Sequence, residues 1–345
     1  MISVWRMKKL AGLLGLPVTD VKEAIAEKNR FCRKFCLHDP RPNGKDRIVL
    51  VVHGKLRRVQ DRLYNRVLLR YLRPSDYSFG GVKGRSIKDN AGKHLANQFL
   101  FTTDISQFYP TISHHKVFRF FRKSLGWPDE GSSICTQICT YDGHLALGLV
   151  TSPMLADQIL RPLDSQIAEA CGRYGVTYTR YVDDITLSAG FRIKDSPLPG
   201  IVRRLLAEHG FKAKTEKTLE GEATGADMAV TKLRLKGDHL DVRKEYIAAL
   251  EDQIQAARDL AAGRVPKTPF WPEATVYGRV RFVLWVNPGR RDLLARVRSV
   301  DWVKAQAAAI EMNILTPVVR MEPLESAAAS LGEATQLQAL VTSLQ

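Results

Sequence analysis

The sequence predicts an α+β protein, with a centre of mixed strands and helices followed by a mainly helical final third. β-rich runs at Phe99 to Ile105 and on either side of Asp183-Asp184 enclose a stretch of four-residue apolar periodicity. From Glu245 onward the apolar residues keep helical spacing. At 345 residues and 45% hydrophobic, the chain has material for a sizeable core.

Taken in order, Met1 to Leu16 carries a few basic residues, but Gly12, Gly15 and Pro17 break its apolar run and no small-residue cleavage site follows. It is not read as a signal peptide. No segment reaches the roughly 20 unbroken apolar residues that span a bilayer, so a soluble, cytoplasmic protein with no membrane partner is expected. Ile48 to Val52 reads as a short buried strand. Leu56, Val59, Leu63, Val67 and Tyr71 then fall on one face of a helix whose remainder carries Lys55, Arg57, Arg58, Arg62 and Arg66. The strand Phe99 to Ile105 runs into Asp104-Ile-Ser-Gln-Phe-Tyr-Pro110, where the proline turns the chain.

Ser152-Pro153 suits a helix start, and Leu155, Ile159, Leu163, Ile167 and Cys171 after it predict a long core helix. Val176 to Ala189 reads as two β-rich runs joined by Asp183-Asp184 as a two-residue hairpin loop. Ile201 to His209 reads as a helix closed by Gly210, followed by a basic segment, Phe211 to Lys217. Ile247, Leu250, Ile254, Ala257 and Ala261 mark another helix, and helical stretches run through Arg291 to Met312. Glu325 to Gln345 reads as a short helix or a loose tail.

Lys plus Arg total 52 against 36 Asp plus Glu, a net charge of +16, so the surface field attracts polyanions and nucleic acid is the first partner to consider. A merely soluble basic protein has the same balance. Five cysteines, an odd number, argue against a disulfide framework. Cys32, Cys36 and His38, and separately Cys135 and Cys139, are close enough to consider zinc. Neither group has a matching second half, and cysteines four apart on helices read instead as small buried hydrophobes.

The adjacent carboxylates Asp183 and Asp184 repel each other unless a cation neutralises them. Asp104 ends another expected strand, so a sheet placing these strands side by side gathers all of them at one edge. Hard oxygen ligands suit magnesium. Two such ions about 4 Å apart would activate an attacking 3′ oxygen and stabilise a leaving pyrophosphate. A lone Asp-Asp is more often a solvated turn. Here it stands in Tyr181-Val182-Asp183-Asp184, downstream of Asp104-Ile-Ser-Gln-Phe-Tyr109.

That pair of motifs resembles the palm of reverse transcriptases. The resemblance covers roughly residues 40–262 and implies a right-hand polymerase with fingers, a palm made of an antiparallel sheet backed by helices, and a helical thumb. It implies N-terminal helices and fingers over 1–100, palm with part of the fingers over 101–235, helical thumb over 236–315 and a tail over 316–345. It also implies two Mg²⁺ ions, with Mn²⁺ able to substitute, held by Asp104, the Ile105 backbone carbonyl, Asp183 and Asp184. Lys45 and Arg47, in a segment like the basic fingers strand, would contact the dNTP triphosphate. Tyr109 would gate against a 2′ hydroxyl, and Gly148 in Gly148-Leu-Val-Thr-Ser-Pro153 would help position template and nucleotide. Lys217 would protonate the leaving pyrophosphate. Outside the resemblance, Lys45 and Arg47 read as surface charges and Tyr109 as a core tyrosine beside Phe108. Leu147 stands where the family usually has glutamine, and Asp157 where asparagine is common.

Gly84 to His94 carries Asn90-Ala-x-x-His94, which resembles an element of retron reverse transcriptases. Val230-Thr231-Lys232 resembles a second element, usually Val-Thr-Gly, that helps select the cognate RNA. A retron enzyme is therefore expected. It would bind a structured non-coding RNA, start from a guanosine 2′ hydroxyl and make a covalently joined single-stranded cDNA, in anti-phage defence with a separate effector protein. Asn90, His94, Val230, Thr231, Lys232, Arg243 and Lys244 are the implied RNA contacts, with Arg258 helping the thumb grip phosphates. Two rivals remain: a defence reverse transcriptase templated by its own RNA without a branched product, and an inactive RNA-binding protein of the same fold. A group II intron enzyme fits less well, because no maturase or nuclease region is seen after residue 312.

Overall fold

The structure, a computed structural model, describes residues 4–38, 46–314 and 321–323. Helices α1 (Val4–Leu14) and α2 (Val18–Ala26) lead into an antiparallel pair, β1 (Cys32–Leu37) and β2 (Arg47–Val52). Cys32 and Cys36 therefore lie on a strand, not on the helix expected, because Arg33 to Leu37 finds a cross-strand partner in β2 that local spacing does not reveal. Lys45 lies outside the described residues, as does the tail from 324 onward.

The basic helix begins as α3 (Gly54–Leu63), passes through a π-helical turn at Tyr64–Leu68 and ends in a single turn, α4 (Leu69–Tyr71). Leu56, Val59, Leu63 and Val67 are buried as the periodicity predicts, but Tyr71 is 60% exposed. A π turn winds more residues per turn than an α-helix, so the apolar face changes phase and Leu68 goes inward instead.

After α5 (Ile87–Gly92) comes β3 (Phe99–Ile105), then α6 (Phe108–Thr111), α7 (His114–Arg119), α8 (Asp129–Cys139) and the long α9 (Ser152–Gly172). Cys135 and Cys139 are fully buried on α8, in keeping with their reading as small hydrophobes. The hairpin β4 (Thr177–Tyr181) and β5 (Asp184–Ala189) precedes α10 (Leu198–Glu208) and β6 (Ala213–Glu222). These strands form an antiparallel sheet in the order β4-β5-β3-β6, with α9 packed against β4 and α10 against α9. The segment read only as basic is thus the start of an edge strand. Its charged side chains hide the alternation that marks a half-buried strand.

Strand β3 separates two apolar cores. Phe101 and Ile105 join the larger one with α3, α8 and α9. Leu100 joins the second, built from a hairpin, β7 (Leu233–Lys236) and β8 (His239–Val242), and from α11 (Lys244–Ala261), α12 (Glu273–Val286), α13 (Arg291–Arg298) and α14 (Trp302–Glu311). Successive side chains of a strand point to opposite faces, so one strand serves both cores. A last strand, β9 (Met321–Pro323), pairs with β1. No helix among the described residues is long and apolar enough to cross a membrane.

Val230 and Leu233 exchange two backbone hydrogen bonds of 2.9 Å around Thr231 (φ 48°) and Lys232 (φ 68°). Both central residues are left-handed, the geometry that favours Asn-Gly or Gly-Gly. A glycine at 232 suits this turn, and the lysine that replaces it is strained. Lys232→Gly is expected to raise unfolding stability by about 0.5–1 kcal/mol, measured by urea denaturation; a loss of stability contradicts the turn assignment.

Candidate active site

The pairing of β3 with β5 sets Asp104 directly opposite Asp184. Tyr181 pairs with Asp184, so the two-residue loop is Val182-Asp183, one position earlier than the loop expected. One acidic residue sits in the turn and the next begins the strand. Asp183 is tied back to β3 by the Ile105 N–H, which donates to its carbonyl at 2.8 Å. On the other side of β3, an irregularity between Thr102 and Asp104 places Lys214 opposite Asp104. Lys217 Nζ donates to Asp104 Oδ2 at 2.5 Å.

Electrostatics mark this edge as short of positive charge. Burial, a hydrogen bond with Asp104 and the charges of Asp183 and Asp104 push the Asp184 carboxyl up to about 8. Burial, then Asp104, raises Asp183 as well, while Lys214 and Lys217 oppose the shift. The Lys217 ammonium is raised by its bond to Asp104 and stays protonated. A carboxylate set that cannot fully ionise alone is the donor set that a hard divalent cation completes. Asp104, Asp183 and Asp184 therefore fit a hard divalent cation by donor chemistry.

Tyr109 lies in the short helix α6, which starts after the left-handed Gln107 (φ 44°). Its ring stands edge-on to Phe108, with centroids 5.2 Å apart, and its hydroxyl is pushed up to about 12 by burial and by Asp183. It is thus both packed and adjacent to the acidic turn. Arg47 is exposed at the start of β2. The loop holding Gly148 presses on that strand: the Leu50 N–H donates to the Leu147 carbonyl at 2.8 Å. A Cβ at Gly148 would lie 2.0 Å from the Leu50 oxygen, and its φ is +102°, so glycine is required. Leu147 uses its carbonyl in this contact while its side chain is 39% exposed, so replacing glutamine there leaves the packing intact.

The residues implied as RNA contacts divide. Arg243 and Lys244 are exposed at the start of α11, and Lys232 is exposed in its turn. Val230 is buried, and Thr231 Oγ1 donates to the Ile87 carbonyl at 3.2 Å, joining the turn to α5. Asn90 and His94 are buried too, so neither offers a surface to RNA here. His94 ring nitrogens lie 2.6 Å from Ser188 Oγ and 2.8 Å from Thr179 Oγ1, fastening β4 and β5. Arg258, half-buried, donates to Ser299 Oγ and the Arg296 carbonyl. Cys36 and His38 do gather a third donor, Asp46, within 4.8 Å, the one such group among the described residues. The 2.8 Å contact of His38 Nδ1 with Asp46 already accounts for it.

Sequence reasoning missed Arg180, Asp157 and Asp164 as one cluster. Arg180 donates to both Asp164 oxygens, at 2.8 and 2.7 Å, and from Nη1 to the Val182 carbonyl at 2.9 Å. The signal was present: Asp157 and Asp164 are seven residues apart on the face of α9 that carries its apolar residues.

A helix-backed antiparallel sheet with this acidic edge defines the polymerase class of fold. Residues 40–227 match the family described as reverse transcriptase (RNA-dependent DNA polymerase), and the chain belongs to that family. It is 28% identical over 274 residues to the retron Ec48 reverse transcriptase of Escherichia coli, covering 76% of this chain and 67% of that protein. It is 32% identical to the Escherichia coli retron Ec86 enzyme, covering 54% of this chain and 58% of the relative. The Myxococcus xanthus retron Mx65 enzyme is 27% identical, covering 82% and 72%. Apo telomerase from Candida tropicalis, truncated from its C-terminal domain, superposes with a TM-score of 0.41 at 11% identity, over 66% of this chain and 60% of that one.

The burial of His94 predicts a pH effect. Burial pushes the imidazole down to about 3 from 6.5. The unfolded chain therefore takes up a proton that the folded protein refuses, and stability falls as pH drops from about 6.5 towards 3. Between pH 6 and 5 the wild type should lose stability more steeply than His94→Gln, by up to about 1.4 kcal/mol per pH unit. Equal slopes in denaturant titrations contradict a neutral buried His94.

Proposed function

We propose that the protein is the RNA-directed DNA polymerase of a retron. It copies a structured non-coding RNA into single-stranded DNA joined to that RNA, starting from a 2′ hydroxyl, and serves anti-phage defence in the cytoplasm with a separate effector. The observation that carries the catalytic part is the opposition of Asp104 and Asp184 across β3 and β5, with Asp183 in the adjoining turn. The retron part is supported by the relatives and by the Asn90 to His94 and Val230 to Lys232 elements.

In this reading Asp104, Asp183, Asp184 and the Ile105 carbonyl would hold two Mg²⁺ ions, which would supply charge neutralisation at the attacking and leaving oxygens. The chain's own residues do the rest. Lys217, kept protonated beside Asp104, gives its proton to the departing pyrophosphate. Arg47 and Lys45 grip the triphosphate, with Gly148 bringing its loop against Arg47's strand. Tyr109 lies under the sugar and leaves no room for a 2′ hydroxyl. Lys232, Arg243 and Lys244 meet RNA phosphates, while Asn90, His94 and Val230 act from the interior by fixing the elements around them. In the same reading residues 1–100 make up the N-terminal helices and fingers, 101–235 the palm with part of the fingers, and 236–315 the thumb.

Incubating the protein with dNTPs, Mg²⁺ and a primed RNA template should yield DNA, and Asp183→Ala and Asp184→Ala should each abolish it. Incorporation that persists in either variant refutes the site. No incorporation by wild type favours an RNA-binding protein of this fold. Tyr109→Ala should raise NTP use relative to dNTP use. Sequencing of co-purifying nucleic acid should reveal a 2′,5′ branch; unbranched cDNA points to a non-retron defence enzyme.

A further inference from the structure

We propose that Arg180 is a positioning residue that fixes the Val182-Asp183 turn, and through it the metal-binding geometry of Asp183 and Asp184. The inference rests on the assignment of those carboxylates as the metal-holding site. Arg180 is 1% exposed, among the largest fully buried side chains. A guanidinium offers five N–H donors in a rigid fork, and here the fork has a distinct task in each direction. Nε and Nη2 meet Asp164 at 2.8 and 2.7 Å, and Nη2 also faces Asp157 Oδ1 at 3.5 Å. Nη1 is left to donate to the Val182 carbonyl at 2.9 Å.

That last bond falls where the backbone needs support. Val182 has φ 59°, a left-handed conformation that a β-branched residue adopts only when its surroundings impose it. The same turn is braced from outside by residues 77–80. The Arg180 N–H donates to the Tyr77 carbonyl and the Phe79 N–H to the Arg180 carbonyl, both at 2.8 Å. A Cβ at Gly80 would lie 2.5 Å from the Val182 nitrogen. Asp157 extends the brace, accepting the Ser75 N–H at 3.1 Å. A buried charge cluster costs desolvation and is weak as a stabilising device. Its orientation here shows what it supplies: a fixed donor aimed at the strained residue next to the acidic pair.

The test compares full-length wild type with Arg180→Lys, Tyr178→Phe and Gly80→Ala by thermal melting, by Mn²⁺ binding followed through the free-ion electron paramagnetic resonance signal, and by dNTP incorporation on primed RNA. Arg180→Lys keeps a cation between the aspartates but lacks the fork. It should bind Mn²⁺ at least about tenfold more weakly and lose about a hundredfold in kcat, with KM for dNTP within about threefold, as expected of ångström-scale misplacement. Tyr178→Phe removes a hydrogen bond to Asp164 without touching Val182, and should lower the melting temperature but leave Mn²⁺ binding at the wild-type level. Gly80→Ala presses on the turn without disturbing the buried charges, and should reproduce the Mn²⁺ loss even where Arg180→Lys does not fold.

A folded Arg180→Lys that binds Mn²⁺ and incorporates like wild type overturns the proposal. If that variant is unfolded, wild-type behaviour of Gly80→Ala overturns it, as does a Tyr178→Phe that loses Mn²⁺ binding equally. Wild-type protein that neither binds Mn²⁺ nor incorporates dNTP overturns instead the assignment of the carboxylates.

Discussion

The geometry of the acidic edge hangs on one strand pairing, Asp104 of β3 against Asp184 of β5. A one-residue slip would send every side chain of a strand to the opposite face. The pairing is held by apolar demand on both sides of β3: Leu100 is committed to one core, and Phe101 and Ile105 to the other. His94 pins β4 to β5 through Thr179 and Ser188. Packing along the whole length of these strands thus fixes which carboxylates meet there. The edge strand β6 then brings Lys214 and Lys217 from the opposite side, where they offset part of the negative charge.

Around this pairing the backbone is strained in two places. Val182 and Gln107 are both left-handed, one leading into Asp183 and the other into the helix that bears Tyr109. Such conformations persist when neighbouring structure over-determines them, and they gather at functional sites. At Val182 the neighbours are identifiable: the Arg180 fork, the Ile105 N–H bound to the next residue and the space left by Gly80. The loop with Gly148 shows the same economy, since β2 can approach it closely only because no Cβ intervenes.

Much of this was legible in the sequence. Strand β3 begins and ends where its β-rich run does, and α9 follows its four-residue repeat. Asp104, Asp183 and Asp184 come to one edge of the sheet, a juxtaposition that follows from the order of the strands alone. What local pattern could not give was register and partnership. The hairpin loop moved by one residue because Tyr181 pairs with Asp184, a choice made by β4 and β5 together. Tyr71 turned outward because a π turn intervened, and β1 and β6 escaped notice because pairing defines them more than alternation does. His94, a polar residue expected to contact RNA, is held inside by hydrogen bonds to residues distant in sequence.

The two elements that resemble retron motifs are joined, since Thr231 reaches the carbonyl of Ile87 at the start of the helix that carries Asn90. Their shared position beside the second core accounts for why motifs far apart in sequence act as one unit of structure. Charge nevertheless decides the acidic edge: burial first, then a hydrogen bond with Asp104 and the charges of Asp183 and Asp104, push the Asp184 carboxyl up to about 8. Counting Mn²⁺ ions bound per chain, in the presence of primed RNA and a non-incorporable dNTP analogue, tests this most directly. Two ions in wild type, and none at this site in a folded Asp183→Ala, Asp184→Ala double variant, is the outcome the carboxylate assignment predicts. An unchanged ion count in the double variant would contradict it.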